Sequence, residues 1–171
     1  MAPPRRGFHH DGKFGSSREG HHIMSASGKG EPVSQALDDM TCELIGSYLD
    51  ELADGGYPGI VLCCEDAYGN RYEVAFTDDD DEACLSEARR FVERNASGIP
   101  SDHVGPIDRY AIAYTGGVEV DGVFEDALLV SFYERALTTG YSAYVLYRGV
   151  GAGDDFMWTD PEPAGEEPPL I

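Results

Sequence analysis

The chain has no lysine between residues 31 and 171, and this absence sets the charge of most of the molecule. Its two lysines, Lys13 and Lys29, lie in the first thirty residues, where five basic side chains accompany two acidic ones. Residues 31–171 carry seven arginines and thirty carboxylates, a net charge of −23. A body this acidic repels nucleic acid and anionic membranes and attracts basic proteins. We therefore expect residues 31–171 to bind neither nucleic acid nor a membrane.

Long hydrophobic runs are also absent. No apolar stretch approaches the roughly 18 residues of a membrane-spanning helix, and no apolar segment follows the basic N-terminus as in a secretory signal. The four cysteines, Cys42, Cys63, Cys64 and Cys84, lie in segments with regular patterns. Without a signal sequence they are expected to be reduced. These features predict a cytoplasmic protein.

The motifs that would indicate a cofactor or a metal are missing as well. No Walker sequence, G-x-S-x-G elbow or H-E-x-x-H helix occurs. The sequence RGVGAG at 148–153 lacks the glycine spacing of a dinucleotide site. The acidic run at 78–82 fails the EF-hand pattern, because Ala83 stands at its sixth position and Arg89 at its twelfth. The sequence predicts neither a cofactor nor a metal site.

Two helices are predicted. Residues 1–32, rich in glycine, serine and histidine, predict a disordered, mildly basic arm. Between residues 37 and 52, apolar side chains recur at spacings of three and four, which predicts an amphipathic helix that ends at Gly55 and Gly56. A second helix is predicted around residues 84–92, and the acidic run before it is interpreted as its N-terminal cap.

Five strands complete the predicted domain. The apolar run at 60–64 is typical of a strand buried on both faces, and residues 71–77 alternate as its hairpin partner. Three further strands are predicted at 109–120, 127–133 and 142–148, the first with a bulge at its paired glycines.

The resulting order, α-β-β-α-β-β-β, predicts one α+β domain over residues 33–150. We expect a mostly antiparallel sheet of about five strands with two helices packed on one face. Residues 151–171 are predicted to form an acidic tail rich in proline and glycine, in which residues 156–158 add a short edge strand or dock on the body. The order is similar to that of roadblock-type and profilin-like domains, which scaffold small complexes. This resemblance lies in element order alone and implies no site residue.

Tyrosines are concentrated on the last three predicted strands. Residues of one parity line one face of a strand, so several of their hydroxyl groups should converge. Tyrosine is enriched at protein interfaces because it offers apolar area with a polar tip. The predicted binding surface consists of Tyr110, Tyr114, Tyr133, Tyr144, Tyr147 and Glu134.

The leading hypothesis is a small acidic, non-enzymatic protein-binding module of the inhibitor, immunity or adaptor type. It would engage a basic partner through the tyrosine-rich sheet face, with its carboxylates raising the association rate. The first alternative is a small enzyme with an active site around Asp102, His103 and Arg109, in which the aspartate orients the histidine as a base. The second is an acidity that reflects only adaptation to salt or to a GC-rich genome.

Overall fold

Two helices and seven strands are formed by residues 32–171, the part of the chain that the computed structural model describes. The helices are α1 (Gln35–Ala53) and α2 (Asp81–Arg94). The strands are β1 (Ile60–Asp66), β2 (Arg71–Phe76), β3 (Ile107–Val120), β4 (Val123–Glu134), β5 (Gly140–Arg148), β6 (Met157–Trp158) and β7 (Glu162–Glu167). They form an antiparallel sheet in the order β2-β1-β3-β4-β5-β6, and β7 also pairs with β5.

The structure confirms the predicted α+β class, the single domain, the antiparallel sheet and the order of the first seven elements. It adds β6 and β7, so the strands number seven instead of about five. The predicted N-terminal arm, 1–32, lies outside the described residues except for its last residue. No helix of the described residues is long and apolar enough to cross a membrane.

Helix α1 begins where its sequence supplies a cap and lies across the middle of the sheet. The Ser34 side chain accepts a hydrogen bond from the Leu37 amide at 3.1 Å, which satisfies a free N–H group of the first turn. The apolar stripe of the helix packs on β3 and β4. Ala111 and Ala113 of β3 are fully buried, and their small side chains allow the close approach of the helix.

The two helices lie on opposite faces of the sheet, which corrects the expectation that they share one face. Tyr72 and Phe76 of β2 contact Phe91 of α2, with ring centroids 5.5 and 6.3 Å apart. Glu73 and Ala75, which alternate with these two residues along β2, point to the other face and lie beside α1. Because β1 is buried along its whole length, it requires a cover on each face. We call these faces the α1 face and the α2 face.

The acidic run before α2 acts as the predicted cap. The Asp80 carboxylate accepts hydrogen bonds from the amides of Glu82 and Ala83 at 3.0 and 3.2 Å. Asp81 and Glu82 stand in the first turn, at the positive end of the helix dipole.

The hairpin of β3 and β4 is longer and more regular than predicted. The register continues through Gly116 and Gly117 without a shift, so the predicted bulge is absent from this pair of strands. Asp121 and Gly122 both have positive φ, 51° and 78°, as a tight two-residue hairpin turn requires.

The C-terminal segment belongs to the domain, which differs from the expected tail at 151–171. Residues 157–158 form the predicted edge strand, and residues 162–167 pair with β5. The Leu170 amide then donates a hydrogen bond to the Tyr110 hydroxyl at 3.1 Å, and Leu170 and Ile171 pack on the core.

Candidate functional site

The predicted tyrosine surface is divided between the two faces of the sheet. The register pairs Tyr110 with Tyr133, and it places Tyr114 and Tyr144 on either side of Leu129. These four tyrosines therefore lie on the α2 face. Tyr147 is an odd number of residues from Tyr144 and lies on the α1 face, where it packs on Phe156.

Three of the five predicted tyrosines are buried. Tyr110, Tyr133 and Tyr147 are exposed by 3%, 7% and 7%. The C-terminal segment covers Tyr110, and burial raises the pKa of that hydroxyl to about 12. Tyr114 is half-buried. The Tyr144 hydroxyl donates a hydrogen bond to Glu162 at 2.6 Å. The structure thus leaves no continuous tyrosine surface for a partner on the described residues.

Glu134, the predicted carboxylate of that surface, holds the start of α1 instead. Its two carboxylate oxygens accept hydrogen bonds from the amide and the hydroxyl of Ser34 at 2.7 and 2.6 Å. The side chain is buried on the α1 face. It is therefore committed to joining α1 to β4.

The structure does not join Asp102, His103 and Arg109 into a site. Asp102 accepts a hydrogen bond from Ser101 at 2.8 Å and lies in a single 3-10 turn. His103 is exposed and has a left-handed backbone, with φ at 59°. Within the described residues, no hydrogen bond or ion pair connects its side chain to either of the other two. Arg109 is buried in a separate ion network.

That network joins three adjacent strands on the α1 face, with Glu134 on the fourth strand beside it, and we call this row of residues the charge ladder. The register places Arg71 of β2, Glu65 of β1, Arg109 of β3 and Glu134 of β4 side by side. Glu65 accepts from Arg71 at 2.6 Å and from Arg109 at 2.9 Å. Both partners of the Glu65–Arg109 pair are about nine-tenths buried. The outer side of Arg71 is held by Glu43 of α1 at 2.6 Å.

Asp66, one residue beyond the ladder, organises the adjoining loops. Its carboxylate accepts four hydrogen bonds: from the amides of Tyr68, Asn70 and Gly105, and from the Asn70 side chain, at 2.8 to 2.9 Å. Burial raises the pKa of this carboxyl, but the four hydrogen bonds lower it more, and the pKa lies at about 2. Asp66 and the charge ladder therefore form a structural network at one end of the sheet.

An open concave surface lies at the other end of β2, and we call it the α1–β2 groove. Because α1 packs on β3 and β4, the α1 face of β2 lies about 10 Å to the side of the helix contact and is left uncovered. The groove has a volume of about 340 Å³. It is lined by Leu44, Ser47, Tyr48 and Glu51 of α1, by Pro58 and Val61, and by Glu73, Val74 and Ala75 of β2.

The groove has an apolar floor and a carboxylate on each wall. Leu44 and Val61 are buried beneath it, while Glu51 on the helix and Glu73 on the strand are exposed above it. The nine lining residues include no basic side chain. Arg71, two residues from Glu73 along β2, is already paired with two carboxylates. The surface therefore presents uncompensated negative charge beside apolar area.

A glycine and a tyrosine fix the end of the groove at the start of β1. Gly59 has φ at 82°, and a Cβ atom there would lie 2.5 Å from the Phe76 carbonyl oxygen. The Tyr48 hydroxyl donates a hydrogen bond to the Gly59 carbonyl at 2.6 Å. The helix wall is thus tied to the first residues of β1. Beyond Phe76, the acidic run 78–82 extends the negative surface from the end of β2.

The thiols and the potential metal ligands of the described residues give no support to a thiolate nucleophile or a metal centre. All four cysteines are free, and burial raises the pKa of Cys42, Cys63 and Cys64 to about 12, which disfavours a thiolate. No group of three or more His, Cys, Asp or Glu side chains in residues 32–171 is arranged to hold a metal ion.

Sequence reasoning missed the groove. The alternation of β2 was evident from its sequence, with Glu73 and Ala75 on one face of the strand. Whether these two residues line a groove depends on where α1 lies. The apolar run at 60–64 carried the missing signal, since a strand buried on both faces implies a cover on both faces.

Comparisons with known proteins identify no relative of this chain. No family model matches it, and neither a curated protein nor a solved structure is significantly similar. The functional inference therefore depends on the geometry of the chain itself.

Proposed function

We propose that this chain is a small acidic, non-enzymatic protein-binding module that holds a basic segment of a partner in the α1–β2 groove. The observation that carries the proposal is the pair of exposed carboxylates, Glu51 and Glu73, on opposite walls of an apolar floor. Lysine and arginine have an apolar stem and a charged tip, so they can cover the floor and reach the walls at the same time.

The charge of the surrounding surface supports a basic partner. Five of the seven arginines of the described chain form ion pairs with its own carboxylates: Arg71, Arg90, Arg94, Arg109 and Arg148. Within residues 32–171 the arginines are too few to pair with most of the carboxylates, because carboxylates outnumber arginines by about four to one beyond residue 30. This field raises the association rate of a basic partner and repels nucleic acid and anionic membranes. The four free thiols agree with a reducing compartment, and they support our proposal of a cytoplasmic location.

A peptide of about eight residues with alternating lysine and valine is a suitable probe, since it matches both the charge and the apolar floor. Its binding is measured by fluorescence anisotropy at about 50 mM salt and again at about 300 mM. We expect salt-sensitive binding, and no binding of a matched peptide in which glutamate replaces lysine.

The decisive variant is the double substitution Glu51→Gln and Glu73→Gln. Each exposed charge pair with the partner contributes up to about 1 kcal/mol. The two substitutions together should therefore weaken binding by about tenfold. The matched control is Glu93→Gln with Glu166→Gln, which also removes one exposed carboxylate from a helix and one from a strand, away from the groove. Equal affinities of the two double variants would refute the groove as the binding site.

A further inference from the structure

The two outer edges of the sheet differ in their capacity to pair with another strand. In the described chain β2 pairs only with β1, over six residues that include no proline, no glycine and no shift of register. On the other side, β5 is followed by β7, which contains Pro163 and a Gly165 with φ at 152°, and a register shift interrupts their pairing. Proline and irregular pairing are the usual means of preventing further strand addition. The edge of β2 lacks them.

The backbone groups at this free edge can be assigned. The Asp66 amide donates to the Asn70 carbonyl at 3.0 Å, so hydrogen-bonded pairs alternate from that point along β1 and β2. Tyr72, Val74 and Phe76 thus direct their N–H and C=O groups toward β1. Arg71, Glu73 and Ala75 direct theirs to the open edge, and the side chains of the same three residues lie on the α1 face, above or beside the groove.

We infer that the partner segment binds as an added antiparallel strand on β2, with its basic side chains over the α1–β2 groove. This inference rests on the proposed function and specifies how that groove is occupied. Residues paired across two strands share a face, so a partner residue opposite Glu73 places its side chain beside Glu51 and Glu73. The same residue directs its N–H group toward β2. The partner residues that form backbone hydrogen bonds with β2 are therefore the same residues whose basic side chains face the groove.

Charge decides between the possible occupants of this edge. A second copy of the chain would bring another Glu73 and another body of strongly negative net charge to the same edge. Like charges directly opposite each other on paired strands are unfavourable. A basic extended segment has the opposite sign at the positions that face the groove. We therefore assign the edge to a basic partner and not to self-association.

N-methylation of the lysine–valine probe tests the inference without altering the protein. When lysine side chains lie over the groove, lysine N–H groups bond to β2 and valine N–H groups point away. Methylating every lysine amide should weaken binding at least about thirtyfold, through the loss of several backbone hydrogen bonds. Methylating every valine amide should change it less than about threefold. Any other ranking of the two methylated probes overturns antiparallel strand addition.

The substitution Ala75→Pro provides the matching test in the protein. It removes one N–H group from the open edge without changing charge or a hydrogen bond to β1, and edge positions of this kind tolerate proline. We expect about tenfold weaker binding of the unmodified probe, with circular dichroism confirming the fold. If binding remains salt-sensitive and is weakened in the Glu51 and Glu73 double variant but is unaffected by N-methylation, the proposed function stands and strand addition is wrong.

Discussion

Replacing Asp66 by asparagine should produce a large loss of stability that becomes smaller in acid. The change is nearly isosteric, but it places an NH₂ group where one carboxylate oxygen accepts hydrogen bonds. The Asn70 side chain and the Gly105 amide, both 2.8 Å from that oxygen, would then face another donor. A hydrogen bond to a charged group contributes about 1.5–3 kcal/mol. We therefore expect asparagine to lower the free energy of unfolding by about 3–5 kcal/mol at pH 7.

The pKa of Asp66 determines how the loss of stability in Asp66→Asn changes with pH. The pKa of Asp66 is about 2 in the folded chain, below the value of about 3.9 in an unfolded chain. Its stabilisation is thus complete well above pH 4 and is lost as the pH falls toward 2. The stability gap between the natural chain and Asp66→Asn should narrow over that interval. Subtracting the two curves removes the contribution of the other carboxylates, which both proteins share.

The assay is urea unfolding followed by the fluorescence of the single tryptophan, Trp158, which stacks on Phe156 of the core. With a slope of about 2 kcal/mol per molar urea, the midpoint at pH 7 should fall by about 1.5–2.5 M. The control Asp160→Asn removes an exposed carboxylate and should leave the midpoint unchanged within about 0.3 M. A gap below about 0.5 kcal/mol at pH 7, or a gap that narrows by less than about 1 kcal/mol between pH 7 and pH 2, would refute the assigned role of Asp66.

Two further substitutions test the charge ladder and the β1–β2 junction by the same unfolding assay. Glu65→Gln removes the main counter-charge of the buried Arg109 and should destabilise the domain by about 3–5 kcal/mol. The control Glu73→Gln, at the surface, should lower the free energy of unfolding by less than about 0.5 kcal/mol. Equal effects of the two substitutions would contradict the burial of the charge ladder. Gly59→Ala forces a Cβ atom against the Phe76 carbonyl at positive φ and should cost more than about 2 kcal/mol; a neutral result would show that the β1–β2 junction is not close-packed.

Much of the fold could be predicted because its signals are local. The acidic cap of α2, the apolar stripe of α1 and the Asp121–Gly122 turn act over a few residues of chain. The continuous apolar run of β1 indicated a strand buried on both faces, and β1 is buried along its whole length. Composition misled at the C-terminus, since residues 162–167 read as a polar tail. Their strand is stabilised by pairing with β5, and no local pattern shows such a partner.

The candidate site could not be predicted to the same degree. The clustering of tyrosines was evident from the sequence. In the structure, strand alternation places Tyr147 on the α1 face, and the C-terminal segment covers Tyr110. Glu134 is exposed or buried according to whether the N-terminus of α1 reaches it, and Ser34 lies a hundred residues away in sequence. Such long-range contacts set which side chains a partner can reach.

The sequence by itself determined the sign of the surface, the class of the fold and the order of its elements, because charge, periodicity and capping are properties of neighbouring residues. Only the tertiary structure decided which acidic side chains lie beside an open apolar surface and form a candidate binding site. The packing of α1 on the small side chains of β3 leaves one face of β2 open, and the pairing of β7 with β5 leaves β2 as the regular free edge. Both outcomes depend on contacts between distant segments, so the groove between Glu51 and Glu73 exists only in the folded chain.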